Sequence, residues 1–377
     1  MKNILFIMHS MQIGGAERLL IDILDNLNYN AFTVQLLLYR NEGGLVTQIH
    51  PNVKVISIYD ATANNYIQRL IWKLKRITWL KELFERKCAC AKTGDHYDAI
   101  ISYCQGPAHK IHTYIKHKTS NNISWIHSDL IRKNWAIKAF DNKLSKQRDA
   151  YKMMDKLVFV SKGAQDTFNS LFEITNPCNQ YVICNPIDHQ RIAKLSEQNI
   201  PKRNNNFLFL NVGRLIEAKN QEMLIKASAI LKERGCNFEL WIVGSGPLEE
   251  YLQHCISELS LQDNVKLLGN QPNPYPYFKK SDAFILSSHG EGFPLVLGEA
   301  MSLSKPIIST RIPGCIEALH DGEYGMLVEE TPEALATAME LFAKKDNIYK
   351  EYIIKAKKGL SSLVSYDEYM NKLYSLL

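Results

Sequence analysis

The residue types best suited to chemistry in this 377-residue chain fall into two clusters. Gly290-Glu291-Gly292-Phe293-Pro294-Leu295-Val296-Leu297-Gly298-Glu299 sets two carboxylates eight positions apart. Asn211-Val212-Gly213-Arg214-Leu215-Ile216-Glu217-Ala218-Lys219-Asn220 sets two cations in one loop. Arg214 offers a planar fork for phosphate oxygens and Lys219 a mobile point charge, a pairing that suits a diphosphate whose negative charge grows as a glycosidic bond breaks. Each cluster follows an apolar strand-like run and opens a helix-like one, so its free backbone amides and dipole suit anionic or hydroxyl-rich ligands. Eight residues of helix advance roughly 12 Å, so Glu291 is expected to face a sugar and Glu299 a ribose of one extended ligand. Together the clusters read as a sugar-nucleotide site. An ordinary strand–loop–helix junction, with Glu291 serving the dipole, Glu299 on a wet face and both cations solvated, accounts for the same residues.

Two further candidates lie in the first half. Gly14-Gly15-Ala16-Glu17 follows a strand-like run, and Gly15 would let backbone amides approach a phosphate or sugar; a tight turn needing positive φ is the plainer reading. Ser124-Trp125-Ile126-His127-Ser128-Asp129 ends a strand-like run, where His127 would meet a sugar hydroxyl or a developing charge, although a lone histidine is more often structural. Gly244-Ser245-Gly246-Pro247-Leu248-Glu249 is a poor dinucleotide fingerprint, since Glu249 replaces its third glycine, and reads instead as a tight turn with proline in the first helical turn. No Asp-x-Asp occurs, so Arg214 and Lys219 are expected to serve where other transferases use a metal; no metal ligand and no cofactor are expected.

These residues need elements to hold them. Apolar strand-like runs alternate with amphipathic helical ones at residues 2–9, 32–39, 53–58, 99–103, 123–127, 156–160 and 181–184. The alternation restarts after the polar stretch 198–206, with strands at 207–212, 239–243, 265–268, 283–286, 306–309 and 325–328. One helix is expected over 137–154 and a helical tail at the C-terminus. At this length two domains are expected. The predicted fold is α/β, two Rossmann-like domains facing a central cleft, with residues 1–187 plus about 361–377 in the first and 188–360 in the second.

Composition narrows the class. The chain is 46% hydrophobic and 22% charged, with no low-complexity tract, no apolar run long enough to span a bilayer and no signal-peptide pattern. Its eight scattered cysteines show no C-x-x-C spacing and fit reduced thiols, hence a cytoplasmic setting. Residues 1–187 carry 24 Lys and Arg against 15 Asp and Glu, while the remainder carries 21 against 24. Much of the excess lies in segment 66–92, which opens on Tyr66, closes on Lys92 and includes Trp72 and Trp79. Such a basic helix suits an anionic membrane interface, and equally a core-packing helix with a solvated basic face. No nucleic-acid partner is expected.

The stretch from Gly290 to Glu299 resembles the E-x7-E motif of family 4 of the retaining glycosyltransferases, in its G-E-G-F-P-L-V-x-x-E-A-M form. Gly213-Arg214-Leu215 followed by Lys219-Asn220, Gly14 to Glu17, and His127 resemble other blocks of that family, in family order. The resemblance implies a GT-B fold whose C-terminal helix crosses back to the first domain, and metal-free transfer of a hexose from a nucleotide diphosphate with retention of configuration. By matching position, Arg214 and Lys219 would hold the diphosphate and Glu299 the ribose. Gly292, Phe293, Pro294 and Leu295 would offer amides to the sugar, Glu291 would lie against its hydroxyls, Gly15 near the phosphates and His127 near the anomeric centre. A UDP-sugar donor is favoured, GDP-sugars next. The acceptor is expected to be a glycan or lipid-linked species of a bacterial surface glycan or glycolipid, met at the cytoplasmic face of the inner membrane. A nucleotide-sugar 2-epimerase and a non-catalytic nucleotide-sugar-binding protein are the alternatives.

Overall fold

The computed structural model describes residues 1–60, 78–131, 134–174, 179–200 and 205–377. The chain divides into two compact units, one of residues 1–184 with 367–377, the other of residues 185–366. The division thus falls three residues before the expected 187, and the chain returns to the first unit at Asp367 instead of 361.

In the first unit β1 (Lys2–Met8), β2 (Phe32–Asn41), β3 (Val53–Asp60), β4 (Ala99–Ser102), β5 (Asn122–Ile126), β6 (Lys156–Phe159) and β7 (Gln180–Val182) form one parallel sheet in the order β3-β2-β1-β4-β5-β6-β7. The second unit builds its own parallel sheet from β8 (Phe207–Val212), β9 (Phe238–Val243), β10 (Val265–Leu267), β11 (Ala283–Leu286), β12 (Ile307–Thr310) and β13 (Met326–Val328), ordered β10-β9-β8-β11-β12-β13. Both are doubly wound α/β arrangements. The central strands are apolar on both faces because helices cover both: Ile4, Leu5, Phe6 and Ile7 are buried, as are Phe284, Ile285 and Leu286. Strand order reverses at β1/β4 and at β8/β11, the places where loops leave neighbouring strands in opposite directions and open a crevice for ligands.

On one face of the second sheet the helices Gln221–Glu233 and Pro332–Ala343 cover Phe209, Leu240, Ile242 and Ile285. On the other, Leu297, Ala300 and Met301 of the helix Leu295–Ser302 pack with Leu210, Phe284, Leu286 and Ile312. Burial of a leucine-sized side chain contributes about 1.5–3 kcal/mol, so this apolar face fixes where Glu299 on the same helix must sit.

Several expectations change in detail. Residues 137–154 are not one helix: a 3-10 turn, Trp135–Phe140, and a helix, Leu144–Lys152, are separated by Asp141 and Asn142, both at φ 56°, a left-handed conformation that ends the first turn. The tail is two helices, Asn347–Gly359 and Tyr366–Leu376. The last packs on the first unit, as expected, with Tyr369 buried and its hydroxyl 3.2 Å from that of Tyr103, while Lys156 Nζ donates to the Leu376 carbonyl at 2.7 Å.

Trp72 and the stretch 66–77 of the basic segment lie outside the described residues. Its end is the helix Thr78–Lys92, held to the sheet by buried Glu85, whose Oε1 accepts from Tyr39 at 2.7 Å and Tyr59 at 3.1 Å. Lys118 Nζ donates to the Cys90 and Gly94 carbonyls, both at 2.9 Å, closing the helix's C-terminal end. The outer face carries Trp79, 64% exposed, and Leu83, 44% exposed. Among the described residues, no helix is long and apolar enough to cross a membrane.

Candidate active site

In the second unit the sequence clusters are the loops that leave β8 and β11, the two strands at the reversal of order. The loop after β8 is braced by its neighbour after β9: Gly213 N donates to the Val243 carbonyl and Leu215 N to the Ser245 carbonyl, each at 3.0 Å. Contact is so close that a Cβ on Gly244 would lie 1.9 Å from the Gly213 carbonyl oxygen, and Gly244 itself sits at φ 144°. The Gly244-Ser245-Gly246 run therefore supports the cation loop. The loop ends in a 3-10 turn, Glu217–Lys219, and Asn220, at φ 47°, caps the helix Gln221–Glu233 by accepting from Met223 N at 3.3 Å.

The loop after β11 is tied to it by a hydroxyl and a backbone N–H, and to β12 by a second hydroxyl. Ser287 Oγ donates to the Lys219 carbonyl at 2.9 Å, His289 N donates to the Ala218 carbonyl at 2.9 Å, and Thr310 Oγ1 donates to the Ser288 carbonyl at 2.6 Å. These bonds set Lys219 Nζ 2.5 Å from Glu291 Oε1, an oxygen that also accepts from Ser288 Oγ at 2.6 Å. The pair is mostly buried, with 22% of the lysine side chain and 13% of the glutamate exposed, so each charge depends on the other for its stability. Arg214 is exposed, and Gln221 Nε2 holds its carbonyl at 3.1 Å.

Glu291 lies in the loop, and only Leu295 onward is helical, so the span to Glu299 is not the eight residues of helix assumed for the 12 Å estimate. Glu299 is the fifth residue of Leu295–Ser302, half-buried, with Oε1 accepting from the Tyr275 hydroxyl at 3.3 Å. Between the two carboxylates, Gly292, Phe293 and Pro294 lead into Leu295. Pro294 occupies the N-cap and its carbonyl accepts from Leu297 N at 3.1 Å, while the Phe293 carbonyl accepts from Asn185 Nδ2 at 3.4 Å. Gly314 lets the next helix approach: a Cβ there would lie 2.5 Å from the Glu291 carbonyl oxygen.

In the first unit His127 is the residue after β5. Its N–H donates to Gln105 Oε1 at 3.2 Å and its ring lies 4.8 Å from that of Tyr103. Burial pulls its pKa down to about 4, with a hydrogen bond to the Tyr103 backbone opposing, so the imidazole is neutral near pH 7. Gly14 is extended at φ −163° and Gly15 begins the helix Gly15–Asn26, so neither supplies the positive φ of the plainer reading. Gly14 instead gives room to Glu17, whose carboxylate oxygen lies 2.4 Å from where a Cβ would stand. The structure thus brings Lys219 and Glu291 into contact, and each of Gly15, Arg214, His127 and Glu299 onto the carboxyl-end loops or adjoining helices of its own sheet.

Sequence reasoning did not single out Ser288, Tyr275 or Gln105. The doubled serine directly after a buried strand was the signal for the first; Tyr275 and Gln105 carry none, because their partners are 24 and 22 residues away in the chain. Among the described residues, no group of three or more His, Cys, Asp or Glu is placed to hold a metal ion.

Residues 193–359 match the family model described as Glycosyl transferases group 1. An uncharacterized glycosyltransferase of Methanocaldococcus jannaschii is 35% identical over 165 residues, 42% of this chain and 40% of that protein. The N-acetylgalactosamine-N,N'-diacetylbacillosaminyl-diphospho-undecaprenol 4-alpha-N-acetylgalactosaminyltransferase of Campylobacter jejuni is 33% identical over 209 residues, 55% of this chain and 56% of that one. The chain thus spans about half the length of the curated relatives it matches. In fold it is similar to Anabaena HepE, solved in complex with UDP and glucose, at TM-score 0.77 and 18% identity, over 100% of this chain and 99% of that one. The chain has two Rossmann-like domains of the GT-B class, and residues 193–359 are a Glycosyl transferases group 1 domain.

Proposed function

We propose that this protein is a retaining hexosyltransferase that moves a sugar from a nucleotide diphosphate, a UDP-sugar first among candidates, to a glycan or lipid-linked acceptor of a bacterial surface glycan, without a metal ion. The observation that carries the reading is the Lys219–Glu291–Ser288 contact at the carboxyl ends of β8 and β11, inside the transferase-family segment. A diphosphate arriving there meets the exposed Arg214 guanidinium and draws on the Lys219 ammonium, and Glu291 exchanges that partner for the hydroxyls of the donor sugar. The two cations then stabilise the charge that builds on the leaving diphosphate. Glu299 accepts from the ribose hydroxyls, and the amides around Gly292, Phe293, Pro294 and Leu295 face the sugar. Gly15 serves the phosphates, and His127, neutral, hydrogen-bonds near the anomeric carbon without adding charge.

Support for the donor comes from HepE, which binds UDP and glucose, and for the acceptor from the Campylobacter enzyme, whose name gives a sugar-bearing diphospho-undecaprenol. A lipid-linked acceptor places the reaction at the cytoplasmic face of a membrane, where the exposed Trp79 and Leu83 would seat the helix Thr78–Lys92 among anionic headgroups. No specific observation favours the 2-epimerase or the non-catalytic reading.

Thermal-shift measurements against nucleotides and sugar nucleotides, repeated with EDTA, test the proposal. A rise in melting temperature with a UDP- or GDP-sugar that survives EDTA is expected. Stabilisation by none of them, or by NAD alone, would refute the donor site.

A further inference from the structure

The Glu291 carboxylate is held at one end. Among the described residues, both hydrogen bonds that reach it end on Oε1, from Lys219 Nζ at 2.5 Å and from Ser288 Oγ at 2.6 Å. A carboxylate has two accepting oxygens, so this arrangement restrains the group and leaves Oε2 without either donor. Ser288 is fully buried, and its carbonyl is held in turn by Thr310, also fully buried, whose Oγ1 donates to it at 2.6 Å. Against the same loop lies Gly314, so near that a Cβ would stand 2.5 Å from the Glu291 carbonyl oxygen and 2.7 Å from that of Gly292. Side chain and backbone of Glu291 are thus fixed separately, the first through Ser288 and the second through Gly314.

Ser-x-x-Glu is the spacing of a helix capping box, which would make Ser288 a matter of local structure alone. The geometry does not fit that role. In a capping box the serine oxygen accepts from a backbone N–H at a helix start, whereas here the hydroxyl donates to the carboxylate, and the helix begins only at Leu295. Burial sharpens the point. A carboxylate with 13% of its side chain exposed depends on the donors around it, and Lys219 is the donor that a diphosphate would draw off. A nucleotide diphosphate carries more negative charge than one carboxylate, so the ammonium gains by the exchange while Glu291 loses its counter-charge. Ser288 stays in place, because its hydroxyl sits in the same loop and is shielded from any ligand.

We propose that Ser288 is a positioning residue for the loaded donor site: once Lys219 turns to the diphosphate, the Ser288 hydroxyl holds Oε1 of Glu291, and Oε2 is the oxygen presented to a hydroxyl of the donor sugar. Ser288 thereby acts on the sugar half of the donor and not on the nucleotide half, through Glu291 and without touching the ligand. This rests on the transferase reading above, in which Glu291 meets the sugar. A carboxylate held in one orientation rewards the matching sugar hydroxyl, and one left free to turn rewards it less.

Calorimetry on the full chain tests this, with UDP, UDP-glucose, UDP-galactose and their 2-acetamido counterparts as probes, and GDP with GDP-mannose as the second nucleotide. The quantity read is the affinity for the best-bound sugar nucleotide relative to that for its parent nucleotide. Ser288→Ala is expected to lower this ratio roughly tenfold, the effect of losing a hydrogen bond to a charged group, while affinity for the parent nucleotide stays within a few-fold. In a Glu291→Ala background the same substitution is expected to change the ratio no further, because Ser288 acts only through that carboxylate; a hydroxyl that merely braced the loop would weaken both backgrounds alike. Ser288→Thr, which keeps the hydroxyl, is expected to retain the ratio within a few-fold, and the double-mutant comparison decides independently of whether the added methyl fits. A ratio unchanged in Ser288→Ala, or lowered equally with and without Glu291, would overturn the positioning role and leave the donor site standing. Failure of the wild type to bind any of these nucleotides would sink the transferase reading, and the role of Ser288 with it.

Discussion

Lys219 Nζ lies 2.5 Å from Glu291 Oε1, a contact that joins the loop after β8 to the loop after β11 across 72 residues of sequence. On the proposed reading the pair sets a phosphate-binding cation beside a hydroxyl-binding carboxylate, and the two roles would separate by mutation. Lys219→Ala is expected to weaken binding of free UDP or GDP roughly 10- to 100-fold, the value of a charge-assisted hydrogen bond. Glu291→Gln keeps the Ser288 donor and is expected to leave nucleotide affinity within a few-fold while turnover drops far more. Calorimetry with the free nucleotide and steady-state kinetics with its sugar separate the two; equal loss of nucleotide affinity in both variants would show that the pair acts only as scaffold.

Gly244→Ala should cost about 2–4 kcal/mol in stability, because its Cβ meets the Gly213 carbonyl at 1.9 Å on a backbone at φ 144°. Gly235→Ala is the control: it also has positive φ, 74°, but nothing lies within 4 Å, so about 1–2 kcal/mol is expected. Only the first should also weaken nucleotide binding, since only it moves the loop that carries Arg214. Urea denaturation and calorimetry on the two variants give the comparison, and an unchanged nucleotide affinity in Gly244→Ala would separate that loop from the donor.

Glu299 accepts from Tyr275 at 3.3 Å, a bond that steers the carboxylate proposed to hold the ribose. The wild type is expected to prefer UDP over its 2′,3′-dideoxy analogue by roughly tenfold or more, and Glu299→Ala to lose that preference. Tyr275→Phe should reduce it by a few-fold. Competition binding reads the ratio directly, and a ratio unaffected by Glu299→Ala would remove the ribose from its role.

The helix Thr78–Lys92 presents Trp79 and Leu83 outward while Glu85 and Ala89 hold it to the sheet. Flotation with vesicles containing phosphatidylglycerol is expected to carry the wild type upward at low salt, and Trp79→Ser with Leu83→Ser to leave it at the bottom. Binding equal in both proteins would place the membrane contact, if there is one, elsewhere.

The strands of both sheets were legible because parallel sheets covered on both faces require apolar runs, and such runs stand out between polar loops. Strand order and the reversal at β8/β11 were not, since nothing local in Leu210 or Phe284 says which strands become neighbours. The motif residues around Glu291 were readable by spacing, but their partner was not: Lys219 and Glu291 are each plausible alone, and only the folded sheet makes them a pair. The turn between Phe140 and Leu144 escaped because Asp141 and Asn142 read as ordinary helix-surface residues until both take left-handed backbone. Gln105 escaped for a further reason, namely that a glutamine's role depends wholly on which groups surround it.

His109 and His112, both fully buried in the first unit, make its stability pH-dependent in a direction that can be worked out. Ser102 Oγ lies 3.0 Å from His112 Nδ1, Ser124 Oγ 3.0 Å from His109 Nδ1, and Asn122 Oδ1 3.1 Å from His112 Nε2. Burial lowers the His109 pKa to about 3, helped by His112; burial lowers that of His112 to about 4, opposed by the Asn122 hydrogen bond and the Asp155 charge. Both are neutral in the fold, whereas in the unfolded chain they titrate near 6.5. Above pH 6.5 neither state binds the protons and the full stabilisation is present. As pH falls from 6.5 towards 4 the unfolded chain takes up protons that the fold refuses, and stability declines by up to about 1.4 kcal/mol per pH unit for each histidine. Urea midpoints at pH 7.5, 6.5, 5.5 and 4.5 should therefore decline at the acid end, and His112→Gln, which starts less stable at pH 7.5, should decline less steeply by about one proton. A variant whose midpoint runs parallel to the wild type across the whole range would show that His112 is not the group being titrated.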